Sequence, residues 1–167
     1  SLTDDKVLIT AVEKNKIRGE KLKYNLDKQG LKHYSLIFED ATKLNDFMKF
    51  NKVLLDAPCS GSGTITSDEI DSITEELVER SSKVQIELLN KAINLVNVGD
   101  EIIYSTCSIF KVENEEVINK FIQEGRVEVI PIQTIIETLP STIDGVITIK
   151  PSALYEGFFV SKLRKLK

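Results

Sequence analysis

Apolar and polar positions along this chain switch repeatedly between a short period and a helical one. Residues 7–12 form an apolar run rich in β-branched side chains, bounded by Asp5-Lys6 and by Glu13; its length suits a buried strand. Residues 16–29 lack proline, and Ile17, Leu22 and Leu26 can share one helical face, with Gly30 standing where a C-terminal cap glycine belongs. Strand patterns recur at 34–39, at 53–55 (closed by Asp56), at 101–104, at 127–130 and at 158–163. Between them, 71–96 holds one or two helices, the second marked by a stripe of Val84, Leu88, Leu89, Ala92, Ile93 and Val96. Gly99-Asp100 turns the chain, and 112–123 is helical with Val117, Ile118, Phe121 and Ile122 inward. The stretch 131–151 is poorly patterned, with room for a short helix at 134–139.

Strands alternating with helices predict an α/β domain built on a mainly parallel sheet. Only a long irregular link joins the last two strands, so one of them is expected to run antiparallel. No repeat or internal boundary is visible, and 1–167 reads as a single domain.

Composition adjusts this picture little. The chain has 167 residues, 41% hydrophobic and 29% charged, an ordinary globular balance. No apolar run reaches the roughly 20 residues that cross a bilayer, so no membrane is expected as a partner. Ser1-Leu2-Thr3-Asp4-Asp5 has no secretory character. Two cysteines, no Cys-x-x-Cys pair and one histidine make a metal site improbable and fit a reducing, cytoplasmic setting; a nucleolar or organellar site is the alternative in a eukaryote. A net charge of −4 argues against a chain that grips nucleic acid unaided. Its basic side chains do cluster, with Lys14, Lys16, Arg18, Lys21, Lys23 and Lys28 in one stretch; a solvated helix face explains them as well.

In sheets of this kind, ligands bind beyond the carboxyl ends of the strands. Glu13, Asp40, Asp56 with Cys59, and Cys107 all fall at such ends. Each has a plainer reading: Glu13 as a solvated loop residue, Asp40 as a helix cap, either cysteine as a small buried hydrophobe. The glycines of Gly61-Ser62-Gly63-Thr64 lack the lysine of a phosphate loop.

Two longer strings change the weighting. Asp56-Ala57-Pro58-Cys59-Ser60-Gly61 and Ser105-Thr106-Cys107-Ser108 each follow a strand, and Glu113-Asn114-Glu115 opens the helix after the second. Gln85-x-x-Leu88-Leu89 precedes the second string, and Glu156-Gly157-Phe158-Phe159-Val160 stands near the C-terminus. In this order the strings resemble the Sun-type (Fmu/Sun) family of RNA cytosine-C5 methyltransferases, over nearly the whole chain.

The resemblance implies a Rossmann-like methyltransferase sheet that binds S-adenosylmethionine and acts on tRNA or rRNA. It implies Cys107 as nucleophile, Cys59 as the residue that helps break down the covalent adduct, and Asp56 as a hydrogen-bond partner of the cytosine ring and neighbour of the cofactor. Resemblance and strand position together put Glu13 at the cofactor ribose and Asp40 near its adenine. The family's first strand and Gly-rich cofactor loop should precede Val7, where the chain has six residues. The expectation is therefore an N-terminally truncated catalytic domain, completed by a missing N-terminal segment or another chain. A non-catalytic RNA-binding or scaffold subunit that keeps the fold is the competing reading; a methyltransferase for small molecules or proteins would leave the two thiols without work.

Overall fold

The computed structural model describes residues 6–65 and 67–167; the reading of Ser1–Asp5 as non-secretory lies outside them. The chain divides into two compact units, 1–45 and 46–167.

In the first unit, strands β1 (Ile9–Val12) and β2 (Tyr34–Ile37) pair in parallel, Ile9 opposite Tyr34 and Val12 opposite Ile37. Helix α1 (Lys16–Lys28) makes the crossover. Asn15 caps it, its side chain accepting from Arg18 N at 3.1 Å. At the other end Gly30 takes φ +77°, and Gly30 and Leu31 donate back to Asp27 and Leu26; a left-handed residue closes the helix here, as the glycine predicted. The expected inward face is only half realised. Leu22 and Leu26 are partly buried, but Ile17 is 73% exposed, and the helix packs on Gly19, where a Cβ would strike the Phe38 ring.

The second unit is a five-stranded mixed sheet. Strands β3 (Phe50–Asp56), β4 (Val96–Thr106), β7 (Phe158–Lys165) and β5 (Val127–Ile130) lie side by side in that order, and β6 (Ile147–Ile149) also pairs with β7. β3 and β4 are parallel, and β7 is antiparallel to β4, β5 and β6. Four strands therefore run one way and the C-terminal one runs against them, as anticipated. Helix α2 (Glu75–Leu95) precedes β4, and α3 (Glu115–Gln123) precedes β5.

α2 is one helix, capped by Thr74, which accepts from Leu77 N, with Glu75 and Glu76 placed against its positive end. Its buried residues are Gln85, Leu89, Ala92, Ile93 and Leu95: Leu89, Ala92 and Ile93 are buried as expected, Val84 is surface, and Val96 is buried but already belongs to β4. The helix has no basic residue in its last turn. Lys49 Nζ donates to Asn94 O at 2.7 Å and Lys165 Nζ to Val96 O at 2.9 Å instead, so distant lysines satisfy the negative end. The turn at Gly99-Asp100 is a bulge inside β4: the register jumps from Phe50–Val96 to Lys52–Glu101, and Gly99 has φ +87°.

The short helix expected at 134–139 does not form. Its backbone pairs instead, with Leu139 N donating to Thr148 O and Lys150 N to Glu137 O. These bonds cover one side of β6, a strand too short to show in the hydrophobic pattern. The apolar core lies in this unit, on Leu89, Ile93, Ile102, Tyr104, Val117, Ile118, Phe121, Phe159 and Leu163, with Tyr104 and Phe159 edge to face at 6.1 Å. No helix among the described residues is long and apolar enough to cross a membrane.

Candidate active site

β3 and β4 end side by side, Asp56 opposite Ser105, and Ser105 Oγ donates to Asp56 Oδ1 at 3.1 Å. Ala57 N continues the ladder to Ser105 O. Parallel strands carry both following loops off the same edge, so Cys59 and Cys107, 48 residues apart in sequence, meet with their sulfurs at 3.0 Å. Both are free thiols and half-buried. Asp56 is exposed at the strand end, three residues before Cys59.

The two sulfurs are not equivalent. Burial, then the hydrogen bond with Cys107, pushes the Cys59 thiol up to about 12, although the amides of Gly61 and Cys107 donate to its sulfur. Cys59 therefore holds its proton at neutral pH.

The loops are tied to each other and to a third one. Gly63 N donates to Cys107 O at 2.9 Å, and Gly157 N to Gly63 O at 2.7 Å. Any side chain on Gly63 would sit 2.8 Å from Gly157 Cα, so both positions need glycine for this approach. Ser60, Ser62 and Ser108 hydrogen-bond within the same loops, and the wholly buried Glu113 accepts from Ser60 and Ser108. Gln85, also wholly buried, donates to Pro58 O at 2.8 Å. Reading strand ends alone misses these residues; their signal was the presence of Gln85 and Glu113 in the strings, without a role.

In the first unit, Glu13 stands directly after β1. Its Oε1 accepts from Asn15 N at 2.7 Å and Arg18 Nη2 at 2.9 Å, and these contacts, the backbone amide first, hold its carboxyl below the usual range. Asp40 caps the 3-10 turn Ala41–Lys43, its Oδ1 accepting from Thr42 Oγ1 and N at 2.8 and 3.0 Å, which lowers its pKa as well; Oδ2 lies 3.8 Å from Lys14 Nζ. The capping role is thus real for Asp40. Both acids accept these hydrogen bonds through a single oxygen, and the second oxygen of Asp40 faces the Lys14 ammonium.

The second unit's mixed sheet, with Asp56 and both thiols at the carboxyl ends of its parallel strands β3 and β4, has the α/β fold of the S-adenosylmethionine-dependent methyltransferases, the class of its solved structural neighbours. The chain belongs to the 16S rRNA methyltransferase RsmB/F family, whose model matches residues 1–164. It is 31% identical to the ribosomal RNA small subunit methyltransferase F of Shewanella woodyi, over 99% of this chain and 37% of that protein. It is 32% identical to the tRNA (cytosine(72)-C(5))-methyltransferase of Pyrococcus horikoshii, over 99% of this chain and 43% of that one. A crystal structure of NSun6 from Pyrococcus horikoshii with SFG superposes with a TM-score of 0.89 at 32% identity, covering 99% of this chain and 43% of that chain. The chain spans about two fifths of the length of these relatives.

Proposed function

We propose that this chain is the thiol-bearing part of an enzyme that methylates carbon 5 of cytosine in tRNA or rRNA. The observation that carries the reading is the pair of sulfurs at 3.0 Å, one of them keeping its proton.

Carbon 5 of cytosine is a poor nucleophile, and adding a thiolate at carbon 6 pushes electron density onto it. In this reading Cys107, as thiolate, forms that bond while exposed Asp56 hydrogen-bonds the cytosine ring and favours its form protonated at nitrogen 3, the proton coming from water. S-adenosylmethionine, when bound, supplies a methyl group on a sulfonium sulfur, which carbon 5 takes up. The carbon-5 proton must then leave and the bond from carbon 6 to sulfur must break. Bonding Cys107 to carbon removes one of the causes that raise Cys59, burial being the larger, and Cys59 then passes its proton to water. The Cys59 thiolate then removes the carbon-5 proton. The electron pair of that C–H bond restores the ring double bond, nitrogen 3 gives back to water the proton it took up, and Cys107 departs as thiolate. The starting state is regenerated, with one net proton released.

Glu13 and Asp40 suit the cofactor, because ribose hydroxyls and an adenine amino group are donors and both residues are fixed acceptors. The relatives are more than twice as long, and in this reading a Gly-rich segment from the same protein or another chain completes the cofactor site. The reacting base must be unpaired or flipped out, which RNA loops allow.

The test is trapping. RNA carrying 5-fluorocytosine keeps its carbon-5 substituent, so an enzyme working this way stays covalently attached. A cofactor-dependent adduct on Cys107, located by peptide mass, is expected with tRNA or small-subunit rRNA. The trap is run on a full-length version that includes the completing segment: no adduct with either RNA refutes the reading in favour of a scaffold, and an adduct on Cys59 reverses the two roles.

A further inference from the structure

Glu113 closes the 3-10 turn Lys111–Glu113, and its side chain is 0% exposed. A carboxyl group is rarely buried without compensation. This one receives four donors: on Oε1, Ser60 N at 2.6 Å and Gln85 Nε2 at 3.5 Å; on Oε2, Ser60 Oγ at 2.6 Å and Ser108 Oγ at 2.5 Å. Ser60 directly follows Cys59, and Ser108 directly follows Cys107. One carboxyl group therefore grips the residue after each thiol, across 53 positions of sequence in one case.

Proton directions fix the rest. Ser108 spends its hydrogen on Glu113, so in the 2.9 Å contact with Ser62 it must accept, and it accepts from Phe110 N as well. Ser62 then donates to Ser108 and accepts from Ile109 N at 3.1 Å. The hydroxyls of both loops are thus oriented from a single acceptor. The backbone of Glu113 is anchored too, since buried Tyr104 donates to Glu113 O at 2.6 Å. Thr106 Oγ1 meets Asn114 Oδ1 at 2.6 Å, and Asn114 Nδ2 donates to Ser108 O at 2.9 Å. The turn is bolted to β4 before it reaches the loops.

We infer that Glu113 is the positioning residue of the thiol pair: by holding Ser60 and Ser108 on one carboxyl group, it sets Cys59 and Cys107 sulfur to sulfur. Its meaning for catalysis rests on the proposed function; the geometric role does not. A carboxyl group buried only for stability would be replaceable by an apolar side chain of similar volume, whereas the hydroxyl and amide donors here converge on the thiol loops.

The test compares the wild-type chain with Glu113→Ala and Glu113→Gln under conditions where circular dichroism shows each folded. Iodoacetamide alkylation of the two thiols is followed separately by peptide mass across pH. In the wild type, Cys59 should react more slowly than Cys107 by about tenfold or more near pH 8.5, because the sulfur contact helps keep it protonated. Glu113→Ala should shrink that ratio several-fold and move the Cys59 profile toward an ordinary thiol. Glu113→Gln keeps an acceptor for Ser60 N, and its amide can donate to hydroxyls that rotate, so it should retain most of the ratio. Should Glu113→Ala not fold, the double variant Ser60→Ala/Ser108→Ala releases the same grip from the other side and should shrink the ratio as well. An unchanged ratio in any folded variant that lacks the grip overturns the inference. Where wild-type protein forms the 5-fluorocytosine adduct, folded Glu113→Ala should lose about 100-fold in kcat with KM nearly unchanged. A wild type that forms no adduct counts against the proposed function, while the alkylation ratios still decide the role of Glu113.

Discussion

The hydrogen bonds that fix Glu13 and Asp40 come from groups at most five residues away in sequence, whereas the loops of Cys59 and Cys107 are joined by contacts that span 48 residues between the sulfurs and 53 between Ser60 and Glu113. The two units differ in the same sense. The first has Leu44 as its one buried hydrophobic among the described residues, and its two strands are only partly covered. The second contains the apolar core and the wholly buried polar groups Gln85, Glu113 and Asn114. Acids that need only face a ligand can be held by turns and caps. Two sulfurs that must touch each other require loops from separate strands to agree within a fraction of an ångström, and only tertiary packing supplies that.

The largest effects should come from the thiols. Cys107→Ala is expected to reduce methylation to background, because in the proposed mechanism Cys107 is the group that bonds carbon 6. Cys59→Ala should still form the bond and accumulate a covalent RNA adduct, visible as a shifted band on denaturing gels. Were Cys59→Ala to prevent adducts and Cys107→Ala to permit them, the assignment would be reversed.

Next in size is the core. Phe159 is wholly buried against Tyr104 and pairs with Thr106, next to Cys107. Phe159→Ala should cost about 3–5 kcal/mol in urea denaturation. Ile17→Ala on α1, at 73% exposure, should stay within about 0.5 kcal/mol. Comparable losses from both would erase the contrast between the units.

The same contrast explains what could be read in advance. Gly30, the strand ends at Glu13 and Asp56 and the direction of β7 were legible, because local pattern and chain connectivity determine them. The stripe of α2 was misassigned at Val84 because hydropathy ranks valine above glutamine, while Gln85 earns its burial by bonding Pro58 and Glu113 from other segments. Residues 134–139 looked helical in isolation, but their backbone partners near β6 lie beyond any local window. At the site, the thiols and Asp56 were visible as strings. The grip of Glu113 was not, since an acid opening a helix usually reads as solvated and its donors come from loops that only the sheet brings together.

A smaller effect separates the units by pH. Burial, then the contact with Cys107, pushes the Cys59 thiol up to about 12 in the folded chain, from an ordinary value of 9.0. Below about pH 9 both folded and unfolded chains hold the proton; above it only the unfolded chain releases it, so stability falls as pH rises toward 12. Burial raises Tyr104 in the same direction, extending the loss above its ordinary value of 10.0. Cys59→Ser should therefore show a shallower drop in urea midpoint between about pH 8 and about pH 10.5 than the wild type. An identical drop would mean that Cys59 is not held in its protonated form.

The smallest effects belong to the local scaffold of the first unit, and they rank in a way that burial would not suggest. Asn15→Ala removes the acceptor for Arg18 N and should cost α1 about 1 kcal/mol, read from hydrogen exchange of its first-turn amides. Arg18→Ala breaks a 2.9 Å ion pair, but the arginine is 64% exposed, and such pairs contribute only about 0.2–1 kcal/mol. Neither change removes the bond from Asn15 N to Glu13 Oε1, which is a backbone donor and survives any side-chain substitution at that position except proline. Glu13 should accordingly keep a lowered pKa in both variants, because the Asn15 amide, the largest single cause, is intact in each. Titration of the Glu13 carboxyl by NMR checks this. If Arg18→Ala returned Glu13 to an ordinary value, the acid would be held by a mobile surface side chain, and the rule that short-range backbone contacts fix the first unit would fail where it matters most.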